Sequence, residues 1–227
     1  MIYPTIAVIP TRFEVDMLLD LLTVLDKSGI DRVLVLDNGH SNSNKWRITE
    51  HIKSLSKGAF VHKTPDMSIY QMWNYGLQYA RYWSPSNVAI LNDDIIIEPH
   101  VMKTLAEFLR SEDDVAITYP DYTASHDTHE YTMRYTNSTY GHGGMAGFCF
   151  MMKSELPIPY IDETFRWWYG DDDLVKQTQL LGYKIGRVVG LPVAHMVGRS
   201  SRFINVSIDI KNDNAYFNAK YGENRTI

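Results

Sequence analysis

The chain has 227 residues, 44% of them hydrophobic, enough for one well-buried α/β domain and short for two independent ones, so residues 1–227 are read as a single domain. A formal net charge of -5 with scattered Lys and Arg leaves no basic stripe. This argues against tight, sequence-independent binding to a nucleic-acid backbone and suits an acidic cleft that holds a cation. The one cysteine, Cys149 within Phe148-Cys149-Phe150, rules out an internal disulfide and a cysteine-based zinc site. No apolar run approaches the ~18 residues of a membrane span, and the first residues lack a basic-then-apolar leader, so a soluble, cytoplasmic protein without stable membrane insertion is expected.

Short β-rich runs alternate with amphipathic stretches through the first half. Residues 5–9, 32–36, 59–62, 87–91 and 115–119 read as strands, while 15–25, 72–79 and 101–108 carry apolar residues at helical spacing. That alternation predicts a Rossmann-like, mostly parallel sheet flanked by helices. Polar clusters follow the strands: Pro10-Thr11-Arg12, Asp37-Asn38-Gly39 and Asn92-Asp93-Asp94. Ligands of open α/β sheets bind beyond the carboxyl ends of the strands, so these clusters converge on one candidate site within a nucleotide-binding half of about 1–120. The second half, about 121–227, is less regular. Residues 121–144, rich in Tyr, Thr, His and Gly, are too long for an ordinary connector and read as a functional loop. A strand at 147–152, a helix at 172–181, a strand at 184–188 and a last helix around 212–221 follow.

The adjacent acids of Leu91-Asn92-Asp93-Asp94 end an apolar strand, where a turn or cap would need only one. Strand-end carboxylates suit a hard divalent cation that also bridges phosphate oxygens. Trp167-Trp168-Tyr169-Gly170-Asp171-Asp172-Asp173 sets three acids at a helix start beside aromatic rings. The helix dipole accounts for the acids in part. The aromatics fit a wall that stacks sugar rings next to a carboxylate able to deprotonate a hydroxyl, although core packing explains at least one of them equally well. His195, leaving a strand in Val193-Ala194-His195-Met196-Val197-Gly198, can complete the coordination of a cation already held by a carboxylate.

These elements, taken in order, resemble the family-2 glycosyltransferases, and in particular their rhamnosyltransferase-like branch. The resemblance rests on Ile9-Pro10-Thr11-Arg12, Asp37-Asn38-Gly39-His40-Ser41, Asn74-Tyr75-Gly76, Leu91-Asn92-Asp93-Asp94, Asp162-Glu163-Thr164-Phe165, Gly170-Asp171-Asp172-Asp173-Leu174, Gly182-Tyr183 and His195-Met196-Val197-Gly198-Arg199-Ser200. It spans roughly residues 5–201. Two departures stand out: Gly170 replaces the family's usual Glu before the catalytic Asp, and the metal-binding Asp-x-Asp is here Asn92-Asp93-Asp94.

The resemblance implies a GT-A fold and an inverting transfer of a sugar from a nucleoside diphosphate. It places Pro10, Thr11, Arg12, Asp37 and Asn74 at the nucleotide, with Asp37 accepting a pyrimidine N3–H and so favouring UDP- or dTDP-sugars. Asn92 and Asp93 face the ribose and diphosphate, Asp94 and His195 hold Mn²⁺ or Mg²⁺, and Asp171 is the general base. Trp167, Trp168, Tyr169 and Asp172 form the acceptor side, with residues 121–144 as a lid. The acceptor stays open among a glycan, a protein side chain and a hydroxylated nucleobase. For the nucleobase, Arg187, Arg199 and Arg202 offer a local phosphate contact. Nucleotidyl transfer is a competing chemistry that usually carries a glycine-rich, basic phosphate loop near the N-terminus, but Pro10-Thr11-Arg12-Phe13 is neither glycine-rich nor followed by Lys. A catalytically silent carbohydrate-binding protein is another, disfavoured by the joint presence of Asp94, Asp171 and His195.

Overall fold

The structure, a computed structural model, describes residues 4–13, 15–122, 130–136, 144–157, 160–196 and 207–225. Among these, ten strands and six helices run in the order β1 (Thr5–Thr11), α1 (Val15–Asp26), β2 (Arg32–Asp37), α2 (Asn42–Ser54), β3 (Gly58–Lys63), α3 (Ile69–Arg81), β4 (Asn87–Leu91) and β5 (Ile95–Ile97). There follow α4 (Pro99–Ser111), β6 (Val115–Pro120), β7 (Thr132–Tyr135), β8 (Cys149–Lys153), α5 (Gly170–Leu180), β9 (Lys184–Val189), β10 (Val193–His195) and α6 (Ser207–Tyr221). An eight-stranded sheet has the order β3-β2-β1-β4-β8-β6-β9-β7, and β10 pairs separately with β5. Strands β3, β2, β1 and β4 are mutually parallel, β8 lies antiparallel between β4 and β6, β9 runs parallel to β6, and β7 closes the edge antiparallel to β9. Both halves of the chain therefore share one sheet.

Every residue of β1 is buried, as a central strand covered on both faces requires. Its side chains alternate between two apolar layers. Ala7 and Ile9 join Leu18, Leu22 and Leu105 from α1 and α4 on one face. On the other, Ile6 and Val8 meet Trp73 and Leu77 of α3, Leu174 of α5 and Phe217 of α6. Gly76 explains itself here, since a Cβ at that position would overlap the Val8 side chain and push α3 off the sheet.

The structure departs from the sequence reading in instructive places. Helix α2 has only Ile48 buried, so it carries no apolar stripe, and it is begun by the Ser41 hydroxyl accepting from Asn44 N–H. Residues 132–135 form the edge strand β7, so this part of the expected lid belongs to the sheet. Residues 123–129 and 137–143 of that segment lie outside the described residues, as do Arg199 and Arg202. Arg187 pairs with Asp121 at 3.7 Å. No described helix is long and apolar enough to cross a membrane.

Candidate active site

The three polar clusters after β1, β2 and β4 meet at the carboxyl edge of the sheet. Parallel pairing sets Thr11 opposite Asp37, and Asn38 N–H donates to the Thr11 carbonyl at 2.9 Å. The buried Asp37 carboxylate accepts the backbone N–H groups of Gly39 and His40 through Oδ1, at 3.1 and 2.9 Å, while Lys45 Nζ lies 3.7 Å from Oδ2. Oδ1 thus shapes the turn, helped by the positive φ of Gly39 (104°), and Oδ2 is the oxygen left to meet a donor from a ligand. That turn buries His40, a residue the sequence reading quoted but did not assign. Burial holds its imidazole below the usual histidine pKa against the opposing pull of Asp37. His40 Nε2 lies 2.8 Å from Thr11 Oγ1, and that hydroxyl donates to Asp93 Oδ2 at 2.6 Å. A neutral His40 protonated on Nε2 satisfies this chain, which runs His40 to Thr11 to Asp93 and ties the nucleotide end of the cleft to the strand-end acids.

Asp94 and His195 are brought together by the pairing of two three-residue strands, of which the sequence marked the one that His195 leaves. In the β5–β10 ladder His195 is opposite Ile95, and Met196 N–H donates to the Asp94 carbonyl at 3.0 Å. His195 Nε2 then lies 3.1 Å from Asp94 Oδ1 and 3.5 Å from Asn92 Nδ2. Its ring stacks on Phe148 with centroids 4.5 Å apart. Among the described residues no group of three or more His, Cys, Asp or Glu side chains could hold a metal. A buried carboxylate oxygen and an imidazole nitrogen at contact distance form a two-donor set, which fits a Mn²⁺ or Mg²⁺ whose remaining ligands are phosphate oxygens and water.

Asp171 opens α5. Its Oδ2 accepts from Gly147 N–H at 2.9 Å and its Oδ1 from Asp172 N–H at 3.1 Å. Burial raises its pKa above the usual carboxylate range despite these bonds. Asp172, raised to about 8 by burial and by the neighbouring Asp171, faces the buried Arg225 guanidinium at 3.3 Å. Asp173 is fully buried and accepts from Lys220 Nζ and Tyr221 Oη, each at 2.6 Å, so its role is to tie α5 to α6.

Gly147 and Phe148, just before β8, connect the two centres. The β4–β8 pairing continues past Leu91 and Cys149, with Asn92 N–H donating to the Phe148 carbonyl at 2.8 Å. Phe148 supports His195, and Gly147 holds Asp171. Only glycine fits at 147, because a Cβ would meet the Trp73 ring and lie 3.2 Å from Asp171.

Asn74 and Tyr169 make contacts within the fold. Asn74 spends its carboxamide on the Ile161 backbone, donating to the carbonyl at 2.7 Å and accepting from the N–H at 3.0 Å, and donates to Glu163 at 2.9 Å. It fastens α3 to residues 161–163, and its place at the nucleotide stays what the resemblance implies. Tyr169 is buried against Phe217, donates to Asn214 at 2.8 Å and has φ 69°, which turns the chain into α5. Trp168 is 48% exposed and Trp167 half-buried, and both remain at the surface beside α5. Their backbone N–H groups donate to the buried Asp213 carboxylate of α6, at 3.0 and 2.8 Å, as does that of Arg166. Arg12 is exposed with its guanidinium over Phe13, and Pro10 is buried in β1.

No protein-family model matches the sequence, and no curated protein matches it either. Among solved structures, the mannosyltransferase PcManGT from Pyrobaculum calidifontis, in complex with GDP-Man and Mn²⁺, superposes with TM-score 0.65 at 10% identity, covering 100% of this chain and 66% of that one. Mannosyl-3-phosphoglycerate synthase from Rubrobacter xylanophilus gives 0.64 at 15% identity, covering 99% and 77%. GalNAc-T7, solved with UDP, GalNAc and Mn²⁺, gives 0.64 at 14% identity, covering 87% of this chain and 45% of that one. The fold is therefore the GT-A fold of these glycosyltransferases, and the chain spans less than half of GalNAc-T7 and about two thirds of PcManGT.

Proposed function

We propose that the chain is a metal-dependent, inverting glycosyltransferase that moves a sugar from a nucleoside diphosphate to an acceptor hydroxyl. The observation that carries the reading is the Gly147–Phe148 bridge, which sets the Asp94–His195 pair and the Asp171 carboxylate on two sides of one short segment. A leaving-group site and a proton acceptor are needed that close together for a single displacement. Mn²⁺ or Mg²⁺ held by Asp94 and His195 would neutralise charge developing on the departing diphosphate. Asp171, its pKa raised by burial, takes the proton of the attacking hydroxyl, and its two backbone N–H donors keep it aimed. Arg225, 3.3 Å from Asp172 Oδ1, engages that neighbouring carboxyl group, which leaves Asp171 as the base.

Asp37 Oδ2, which has Lys45 Nζ 3.7 Å away but accepts neither of the turn's N–H groups, supports a pyrimidine donor, UDP or dTDP, since it can accept a base N3–H. The similar structures hold UDP in one case and GDP-Man in another, so the preference rests on Asp37 alone. Membership of the rhamnosyltransferase-like branch and a cytoplasmic location belong to the same proposal and rest on the sequence.

The test is a panel of UDP-, dTDP- and GDP-sugars incubated with Mn²⁺ or EDTA, following hydrolysis and transfer. Metal-dependent release of UDP or dTDP is expected, with Asp171→Asn lowering turnover roughly 100-fold while donor affinity persists. Turnover by Asp171→Asn equal to the parent chain would remove the base from Asp171. Nucleotide monophosphate transfer in place of sugar transfer would identify the nucleotidyl chemistry instead.

A further inference from the structure

Helix α3 begins against the acceptor side of the active site. Tyr70 Oη donates to the Trp167 carbonyl at 3.0 Å, and the Tyr70 ring occupies the space beside Gly170. From there the helix runs alongside the segment that leads up to Trp167 and Trp168, fastened to it by Asn74. Between helix and segment lies an open cleft of about 700 Å³, a volume within the usual range for small-ligand sites. Its polar and aromatic lining comes from Asp66, Gln71, Tyr75 and Gln78 on one side and Tyr160 and Glu163 on the other.

The chemistry of that lining is selective. No Lys, Arg or His is among the described lining residues, so phosphate, sulfate or a nucleic-acid backbone would meet acids without a counter-charge. The lining instead mixes acceptors and donors. Gln78 is exposed and makes no side-chain hydrogen bond to described residues, and neither does Asp66. Gln71 uses only Oε1, accepting from Ser68 N–H at 2.8 Å, which leaves Nε2 to donate. Glu163 uses only Oε1, toward Asn74, which leaves Oε2 to accept. A sugar hydroxyl donates and accepts at once and pairs with such a set. The two tyrosines have their hydroxyls engaged elsewhere, Tyr75 with His62 at 2.9 Å and Tyr160 with Arg81 at 2.8 Å, so each ring is held in place. Tyr160 stays 41% exposed with the Arg81 guanidinium over its ring, 4.8 Å from the centroid, and the ring surface that guanidinium leaves uncovered suits stacking on the C–H face of a pyranose.

We infer that this cleft is a binding subsite for the distal sugars of a neutral oligosaccharide acceptor, whose reacting end lies at Trp168 and Asp171. From Tyr70 to Gln78 the helix rises ~12 Å, which is more than one hexose ring spans and calls for a chain of sugars. The inference rests on the transferase reading above and narrows its acceptor to a glycan.

The probe is a printed panel of neutral, sulfated and phosphorylated oligosaccharides, bound by the full chain in EDTA without donor so that nothing turns over. Saturable binding to neutral glycans is expected, confirmed in solution by titrating the best of them. Gln78→Ala and Tyr160→Ala should each weaken it roughly 2- to 10-fold, the scale of one lost hydrogen bond or ring contact. Ala at 78 is a good helix former, and UDP affinity with Mn²⁺, measured on the same samples, should stay within about twofold and so report the intact fold. Silence of every neutral glycan, better binding of anionic ones, or affinity unmoved by both substitutions would overturn the subsite. Glycan binding without any donor binding would keep the subsite and remove the transferase; metal-dependent donor hydrolysis without glycan binding would do the reverse.

Discussion

Gly170→Ala tests the local packing at the start of α5, where the proposed base Asp171 stands. A Cβ at Gly170 would overlap Cδ1, Cε1 and Cζ of Tyr70, a ring 98% removed from solvent, since its exposure is 2%. That ring has no free direction: its hydroxyl is bonded to the Trp167 carbonyl, and its edge meets Trp73 with centroids 5.2 Å apart. Relief must come from the first turn of α5. Overpacking of this kind costs about 1–3 kcal/mol. The helix-propensity gain of Ala over Gly offsets only part of it, being at most about 1 kcal/mol in a helix interior and less at a first position. A net loss of about 1–2 kcal/mol corresponds, for a domain of this size, to a fall in Tm of roughly 2–8 °C. Thermal unfolding followed by circular dichroism reads it directly. Tyr70→Ala alone should be destabilising, but combined with Gly170→Ala the losses should fall short of their sum by about 1 kcal/mol, because the small side chain vacates the disputed space. A Tm for Gly170→Ala equal to the parent, or strict additivity in the pair, would refute the overlap. The same overlap accounts for the departure from the family pattern at this position: with tyrosine at 70, glutamate at 170 has no room.

Removing either donor of the metal pair, Asp94→Ala or His195→Ala, should weaken UDP binding in Mn²⁺ by roughly 10-fold or more while leaving binding in EDTA unchanged; calorimetry that finds equal loss in both buffers would argue against a metal there. Asp172 holds its proton up to about 8 in the folded chain and only to about 4 in the unfolded one, so native protein binds the extra proton between these values and stability should decline as pH rises from 4 to 8. Asp172→Asn should flatten that decline in urea titrations, with Asp171 supplying what slope remains. Asp213→Ala strips the acceptor from three consecutive backbone N–H groups and should cost about 2–4 kcal/mol, with Trp168 fluorescence shifting toward that of a solvated indole; Asp213→Asn, which keeps an acceptor oxygen, should recover part of the loss.

What could be read from the sequence follows from how each feature is encoded. β1, β2 and β4 are buried on both faces, so their apolar runs are continuous and their polar ends conspicuous. Asp37, Asp94 and Asp171 all stand at such ends or at a helix start, where a carboxylate is visible as an interruption. α2 escaped notice because its helical periodicity is nearly empty, with Ile48 as its one buried side chain. The pairing of β5 with β10 escaped because three-residue strands carry no mark of their partner, although that pairing alone sets His195 against Asp94. An aromatic beside an acid, as Tyr169 is, reads the same in sequence whether it faces a ligand or a core. What decides is its left-handed backbone and the presence of Phe217 and Asn214 on a helix some 45 residues later.

The residues missed altogether act either through the backbone and the lack of a side chain or across long stretches of sequence. Gly147 contributes an N–H and the lack of a side chain, and Phe148 a carbonyl and a ring face. Asp213 and Arg225 lie in and after α6, far along the chain from the residues they hold. A glycine before a strand is ordinary in sequence. It becomes informative only when the strand is antiparallel to the one that carries the acids, since that pairing aligns the entry of β8 with the exit of β4. The single reversed strand between β4 and β6 is therefore what joins the two halves chemically. A parallel strand in its place would start at the opposite edge, and Asp171 would have no donor beside Asp94. Such a reversal is a property of topology, and a short apolar run such as Cys149–Lys153 carries no mark of its direction.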